Sequence, residues 1–469
     1  MNNQQEPQFP YLPHTKEDRQ IMLQSLGVRS FEELLQHIPD KVRIKELNLP
    51  EGLSEQELSQ TIANLAKKNE SVSGQKSFLG GGAYYRYVPA AVGALVSRSE
   101  FATAYTPYQP EVSQGSLQTI YEFQTAVCLL TGMEVANASM YDGPTACAEA
   151  CMMAVRLTGR NNIVLPASLN PEYASVTKTY ASCCAMEIGK AKVTNGVIDL
   201  ANLRLDDKTA ALVVQYPNYF GCLEDLEKLA QECHQVGALL VVVTDPISLG
   251  LLTAPGTFGA DIVVGDAQSC GNGLSFGGPS AGYLACRKDF MRQLPGRIAG
   301  VTTDNRGNRA FTLTLQTREQ HIRRERATSN ICTNQALNAL TMLVYLTLLG
   351  PKGLHDLSNI SIQRAHNLAD SLCKIEGVSL AFEEPFFNEF VLQLPINAKE
   401  ALDKLKAEGI LGGIDLGKTH PDLEDCILVA VTEMNSPEDL NSYASALSSI
   451  LAASANRVQT KKKSQMVLV

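Results

Sequence analysis

The sequence predicts an α/β fold in two lobes, a parallel sheet wrapped by helices followed by a smaller α/β lobe, and three observations predict it. From about Phe78, short β-branched runs alternate with longer amphipathic ones, as in strands joined through crossover helices. Near the middle, 211–215 reads as a strand, 224–236 as a helix closed by Gly237, and 238–244 as a nearly all-apolar strand; a strand apolar on both faces belongs in a buried parallel sheet. The chain has 469 residues, 45% hydrophobic and 19% charged, enough to fill two lobes rather than one.

Taken in order, residues 1–75 form a helical N-terminal extension. Ser30 with Glu33, and Ser54 with Glu57, are capping boxes ahead of apolar periodic runs, and Leu53 with Leu58 fits a hydrophobic staple. Leu58, Ile62 and Leu65 share one helical face, which calls for something to lie on. Residues 76–330 form the large α/β domain, with a further strand at 261–265. Residues 331–455 form the small C-terminal domain: a long helical stretch over 331–376, an extended run at 390–394, a helix near Lys399, a strand at 427–431 and a closing helix at 437–451. The last residues, 456–469, read as a flexible tail.

A net charge of -9, with both signs scattered, argues against a nucleic-acid-binding face. The longest uninterrupted apolar runs, 238–243 among them, are far short of the roughly 20 residues of a membrane helix, and the first ten residues are too polar for a signal peptide, so a cytoplasmic protein is expected. The 12 cysteines are spread along the chain with no CxxC pair; Cys147 and Cys151 read as small packing residues of one helix, Cys183 and Cys184 are adjacent without nearby histidines, and no metal is expected.

Asp245 ends a buried strand at the carboxyl edge of the sheet, where α/β folds place ligands; it suits a cation or a pyridinium nitrogen, and equally a capped Asp-Pro turn. Ser139, Asp142 and Thr145 open an Ala-rich helix whose N-terminus could present amides to a phosphate. Pro144 removes one donor and Asp142 would repel an anion, so plain capping is the reading that the residues favour. Loop 105–114 carries Tyr105, Thr106, Tyr108, Gln109, Glu111 and Ser113 on a proline-stiffened frame. It can hold polar groups in fixed positions, or serve as a rigid connector whose tyrosines pack. Arg318, His321, Arg323, Arg324 and Arg326 crowd a stretch that also holds Glu319 and Glu325; it is either a self-paired solvated face or a recognition site for a carboxylate, a phosphate or an acidic partner. The run Gly80-Gly81-Gly82 lacks the spacing of a known nucleotide loop.

The strings FLGGGAYYRYVPAAV, TAYTPYQPEVSQG, ANASMYDGPTACAEA, VGDAQSCGNGLSFGGPSAG and REQHIRRERATSNICTNQAL resemble the subunit 1 family of split glycine dehydrogenases (decarboxylating), also called P-proteins, from about residue 10 to 450. The resemblance implies the type I (aspartate-aminotransferase-like) pyridoxal-phosphate fold, with a large doubly wound domain and a small C-terminal domain. It also implies that Asp245 corresponds to the acid facing the pyridine nitrogen, here vestigial. No lysine lies between Lys228 and Lys288, and Gln268 stands where the Schiff-base lysine belongs; an amide cannot make that linkage.

The chain is therefore expected to be inactive alone and to work in a heteromeric oxidoreductase of glycine catabolism. A companion subunit 2 holds pyridoxal phosphate covalently, and glycine loses carbon dioxide there. The aminomethyl group passes to the lipoyl group of the H-protein, with the T- and L-proteins of the system as indirect partners. Tyr105, Thr106, Tyr108, Gln109, Glu111, Ser113, Ser139, Asp142 and Thr145 are the candidates to complete the partner's site; Arg318, His321, Arg323 and Arg324 are candidates for the substrate channel or the H-protein. The competing reading is a purely structural or regulatory subunit.

Overall fold

The computed structural model describes residues 14–44 and 47–466; the polar N-terminal decapeptide and the last three residues of the tail lie outside them. The described residues up to 70 form one compact unit and those from 71 onward another. In the first unit are α1 (Lys16–Ser25), α2 (Phe31–Leu34) and α3 (Glu55–Ala66). The Ser54 capping box closes reciprocally: Glu57 N–H donates to Ser54 Oγ, and Glu57 Oε2 accepts from Ser54 N–H at 2.9 Å. The one at Ser30 does not: its side chain caps nothing, and Glu33 instead accepts from Arg29 N–H, ahead of a helix of only four residues. A third box, Thr15 with Asp18, is hard to see in the sequence because few apolar residues follow it. Leu58, Ile62 and Leu65 remain about half exposed.

In the second unit, α4 (Gln114–Thr131) leads into β1 (Val135–Ala136) and α5 (Gly143–Thr158). There follow β2 (Asn162–Pro166), α6 (Pro171–Ser182), β3 (Glu187–Ala191), β4 (Thr209–Tyr216), α7 (Leu226–Gln235), β5 (Leu239–Thr244), β6 (Ile262–Asp266) and β7 (Gly282–Cys286). These strands form one sheet in the order β1-β7-β6-β5-β4-β2-β3. Neighbouring strands from β3 across to β6 run parallel, while β7 is antiparallel to both β6 and β1.

The all-apolar reading of the central strands follows from this placement, because successive side chains feed two different cores. Leu240 and Val242 face one core with Phe123 and Val127 of α4, whereas Val241 and Val243 face the other with Ala146, Cys147, Ala150 and Cys151 of α5. The two cysteines pack as small buried groups, as expected. A hairpin, β8 (Ile298–Thr303) with β9 (Arg309–Thr314), lies over α4.

Next comes α8 (Ala336–Leu372), interrupted at Gly350 (φ 61°) ahead of Pro351. Its first part, through Ala339, Met342 and Tyr345, packs on the large sheet. Its last part, through Ala365, Leu368 and Leu372, packs on a second sheet of β10 (Ser379–Leu380), β11 (Glu389–Gln393), β12 (Ile414–Asp415) and β13 (Cys426–Ala430), in the antiparallel order β10-β11-β13-β12. The passage between the two cores thus falls inside α8 rather than at 331. Helices α9 (Ala398–Ala407) and α10 (Pro437–Met466) cover this sheet, and α10 continues well past 451.

Among the described residues α8 is also long and apolar enough to cross a membrane. Uninterrupted runs hid this, because threonine, glycine and proline are interspersed. In this fold its apolar residues cover two sheets instead.

Candidate functional site

Two places gather the polar groups that stand out in the sequence. The first lies at the carboxyl ends of β5 and β6. Asp245 directly follows β5, and its Oδ1 accepts from the Ser269 hydroxyl and, at 3.3 Å, from Ile247 N–H. Its Oδ2 faces Arg86 Nη2 at 3.9 Å, and Arg86 Nη1 donates to Glu433 Oε2 at 2.7 Å. Burial raises the Asp245 carboxyl above the ordinary range, and the Arg86 charge opposes that shift. Both readings of this residue meet here: it caps the turn through Ile247 and Ser248, and it faces a cation, which is an arginine of the same chain.

Gln268 is buried, and both polar atoms of its amide are engaged. Oε1 accepts from Tyr84 N–H at 2.8 Å, and Nε2 donates to Tyr84 O at 3.0 Å and to Asn272 O at 3.1 Å. A backbone donor and a backbone acceptor from one residue fix the amide in one orientation. The segment that it grips follows Gly80-Gly81-Gly82. Gly81 N–H donates to Glu389 Oε1 at 2.7 Å, Asn170 donates to Gly81 O at 2.7 Å, and the Tyr84 hydroxyl donates to Glu389 Oε2 at 2.7 Å. A Cβ at position 80 would collide with Glu389 Oε1 and with the Ala430 side chain, so close approach to a buried carboxylate requires glycine there. The Gly run thus has a role that its spacing did not reveal.

The N-terminus of α5 borders the same place. Asp142 and Thr145 form a reciprocal capping box, as the residues favoured, with Thr145 N–H on Asp142 Oδ1 at 2.8 Å. Ser139 is fully buried and accepts from Gln335 N–H and from Asn334 Nδ2, which fixes the chain entering α8.

The second place joins the proline-stiffened loop to the arginine-rich stretch. Gln114 pins the loop's end: its Nε2 donates to Phe311 O at 2.9 Å, and its Oε1 accepts from Phe311 N–H at 2.8 Å, a two-point grip on β9. Tyr108 rests on Arg297, which is 3% exposed; Arg297 Nη2 donates to the Tyr108 hydroxyl at 2.7 Å, and the guanidinium carbon lies 5.1 Å from the ring centre. Glu319 balances the buried charge, with Oε2 at 3.3 Å from Arg297 Nε, and the His321 ring meets Tyr108 edge-on at 5.8 Å. On this support Tyr105, Gln109 and Glu111 stand exposed, while Thr106 and Ser113 are half-buried.

The arginine stretch divides in two. Arg318 turns inward and clamps the carbonyls of Leu294, Gly296 and Leu315, which holds the approach to β8. Arg323, Arg324 and Arg326 face outward. No local pattern points to Arg297, a lone arginine between Gly296 and Ile298, nor to Arg86, Glu389 and Glu433, because each acts on partners far along the chain. Asp266 lies in one of the strings that carry the family resemblance, yet nothing beside it marks it. Among the described residues no group of three or more histidine, cysteine, aspartate or glutamate side chains is arranged to hold a metal ion.

Comparison with known proteins agrees along the whole body. The family model of the glycine cleavage system P-protein matches residues 10–447. The chain is 51% identical over 442 residues to the probable glycine dehydrogenase (decarboxylating) subunit 1 of Chloroherpeton thalassium, covering 94% of this chain and 99% of that one. It is 50% identical to the protein of the same description from Carboxydothermus hydrogenoformans, covering 93% and 99%. A crystal structure of the glycine decarboxylase (P-protein) of the glycine cleavage system, in inhibitor-bound form, superposes with a TM-score of 0.88 at 43% identity, over 94% of this chain and 100% of that one. Sphingosine-1-phosphate lyase from Burkholderia pseudomallei (TM-score 0.66, 14% identical, covering 92% and 98%) and a NifS-like protein (0.61, 12%, covering 81% and 99%) share the fold alone, that of type I pyridoxal-phosphate enzymes. Matched over nearly its full length in both sequence and shape, the chain belongs to the glycine cleavage system P-protein family.

Proposed function

We propose that this chain is the lysine-lacking subunit of a glycine-decarboxylating enzyme, and that it completes the active site of a lysine-bearing partner subunit by lending it loop 105–114. The observation that carries this reading is a contrast between the two places. In the chain's own cleft the amide at the lysine position is committed to the backbone of Tyr84, whereas the loop is braced from behind and presents Tyr105 and Gln109 outward. A loop held in one conformation by Gln114 and Arg297 lends its hydroxyl and amide to a second subunit at little ordering cost.

Pyridoxal phosphate does not fit the residues of this chain. The lysine position holds a fully engaged amide, and the acid that would face the ring nitrogen faces Arg86. The cofactor therefore sits on the partner, where it supplies the electron sink for loss of carbon dioxide from glycine, before the aminomethyl group passes to the lipoyl group of the H-protein. In that site Tyr105 and Gln109 orient the substrate, Glu111 and Ser113 steady the loop, and Tyr108 transmits the position of Arg297.

The test is Tyr105→Phe combined with Gln109→Ala in the reconstituted heteromer. The expected outcome is intact assembly with glycine decarboxylation reduced about a hundredfold, the scale of losing oriented hydrogen bonds in an active site. Unchanged turnover and unchanged assembly would sink the reading; lost assembly alone would favour a purely structural subunit. The outward Arg323 and Arg324 form a surface for the acidic or lipoyl-bearing partner. Arg323→Glu is expected to weaken H-protein binding about tenfold at low salt, with the difference shrinking as salt is added. Equal affinity at low salt would mean that this surface does not meet the partner.

A further inference from the structure

We propose that the retired cofactor pocket of this chain is closed by Asp266, whose carboxylate occupies the place where a cofactor phosphate would dock, so that restoring the missing lysine alone does not restore cofactor binding. The inference rests on the reading that this cleft descends from a pyridoxal-phosphate site, and it goes further by naming what blocks it.

The case is an accounting of donors. The first-turn N–H groups of a helix are the ones free to receive an anion. At α5 none is left over. Gly143 N–H donates to Asp266 Oδ2 at 2.8 Å, Pro144 has no N–H, Thr145 N–H donates to Asp142 Oδ1 at 2.8 Å, and Ala146 N–H already makes the first intrahelical bond, to Asp142 O at 3.0 Å.

The other oxygen of Asp266 is equally committed. Oδ1 accepts from Gln268 N–H at 2.8 Å and from the Ser280 hydroxyl, so one carboxylate ties together the start of α5, the position of the lost lysine and the start of β7. It is a part-buried carboxylate making the three contacts that a docked phosphate oxygen would make: a helix N-terminal amide, a loop amide and a hydroxyl. A Cβ at Gly143 would collide with the Tyr173 hydroxyl and lie 3.0 Å from Asp266 Cβ, so the start of α5 packs closely on both side chains. With Asp142 beside it, the site presents two part-buried carboxylates to any incoming phosphate, and their like charge disfavours it.

Two variants test this in the full-length chain: Gln268→Lys, and the same change with Asp266→Ser, which removes the carboxylate and leaves a hydroxyl. Each is mixed with pyridoxal phosphate, followed by absorbance near the visible band of a lysine-linked cofactor, then reduced with borohydride and weighed. Circular dichroism and thermal melting confirm the fold.

The Gln268→Lys variant is expected to bind no more cofactor at position 268 than the parent chain, and the double variant at least tenfold more tightly than the single. Specific labelling of position 268 in the single variant overturns the proposal, and so does a folded double variant that binds no better than the single. If Gln268→Lys fails to fold, Asp266→Ser alone is titrated with inorganic phosphate, where a rise in melting temperature absent from the parent supports the block and no rise overturns it. Labelling of the unmodified chain would instead overturn the lysine-lacking reading beneath it, so the two failures are distinct.

Discussion

Replacing Arg86 by methionine is expected to destabilise the chain by about 3–5 kcal/mol, the cost of removing one member of a buried ion cluster. The Arg86 side chain is 2% exposed, 2.7 Å from Glu433 and 3.9 Å from Asp245, and its guanidinium lies 5.6 Å from the ring centre of Tyr84. Methionine keeps much of the volume but leaves two carboxylates facing each other without a counter-ion, at the point where the segment after the Gly run meets both sheets. Urea unfolding followed by circular dichroism measures the loss. Adding Glu433→Gln to the variant should recover part of it, since one of the two uncompensated charges is then gone. A single-variant cost below about 1 kcal/mol would show that the cluster contributes no more than an exposed pair.

Glu389 leads to a second large effect, on pH dependence. Burial pushes its carboxyl up to about 7, against hydrogen bonds from Gly81 N–H and the Tyr84 hydroxyl that hold it down. The folded chain therefore keeps this proton to higher pH than the unfolded chain, whose carboxyl releases it near the usual 4.5. Between those values unfolding releases a proton, so stability falls as pH rises through the window and levels off above it, by roughly 3 kcal/mol in all. Glu389→Gln removes the titration and keeps the shape, and the Tyr84 hydroxyl can rotate to accept from the amide. The variant should match the parent near pH 5 and be the more stable of the two at pH 8. A stability difference that does not change with pH would contradict the buried, proton-holding state.

Where local physics decided, the sequence was readable. The strand, helix and strand around 211–244 each appear within two or three residues, because a run of valines between two cores has no other favourable place to go. The helix from 398 and the strand at 426–430 were legible for the same reason. What escaped was set by distant partners. Ser30 has the residues of a capping box but lacks a helix long enough to use it, and no local pattern distinguishes it from Ser54. The break at Gly350 left a continuous-looking helical stretch, whose two parts belong to different cores.

At the site, Gln268 was conspicuous as an exception to a family pattern. Asp266, two residues earlier, was not, since its meaning lies in Gly143 and Ser280 rather than in its neighbours. Tyr108 and His321 stand out separately in the sequence, and only Arg297, which no local pattern marks, and its partner Glu319 show that they are one cluster.

The smaller lobe is not built from the C-terminal part of the chain alone. Lys76–Ser77 pairs in parallel with Ile410–Leu411, Phe78 lies in the core of that lobe, and Tyr84 holds Glu389. A ribosome delivers residues 76–84 long before the strands that secure them. The glycine-rich segment must then wait while the large sheet is synthesised, and it is fastened only after β11 and its neighbours emerge. The cleft beneath it is accordingly the last part of the body to take shape, and a nascent chain halted before residue 389 would carry an open one.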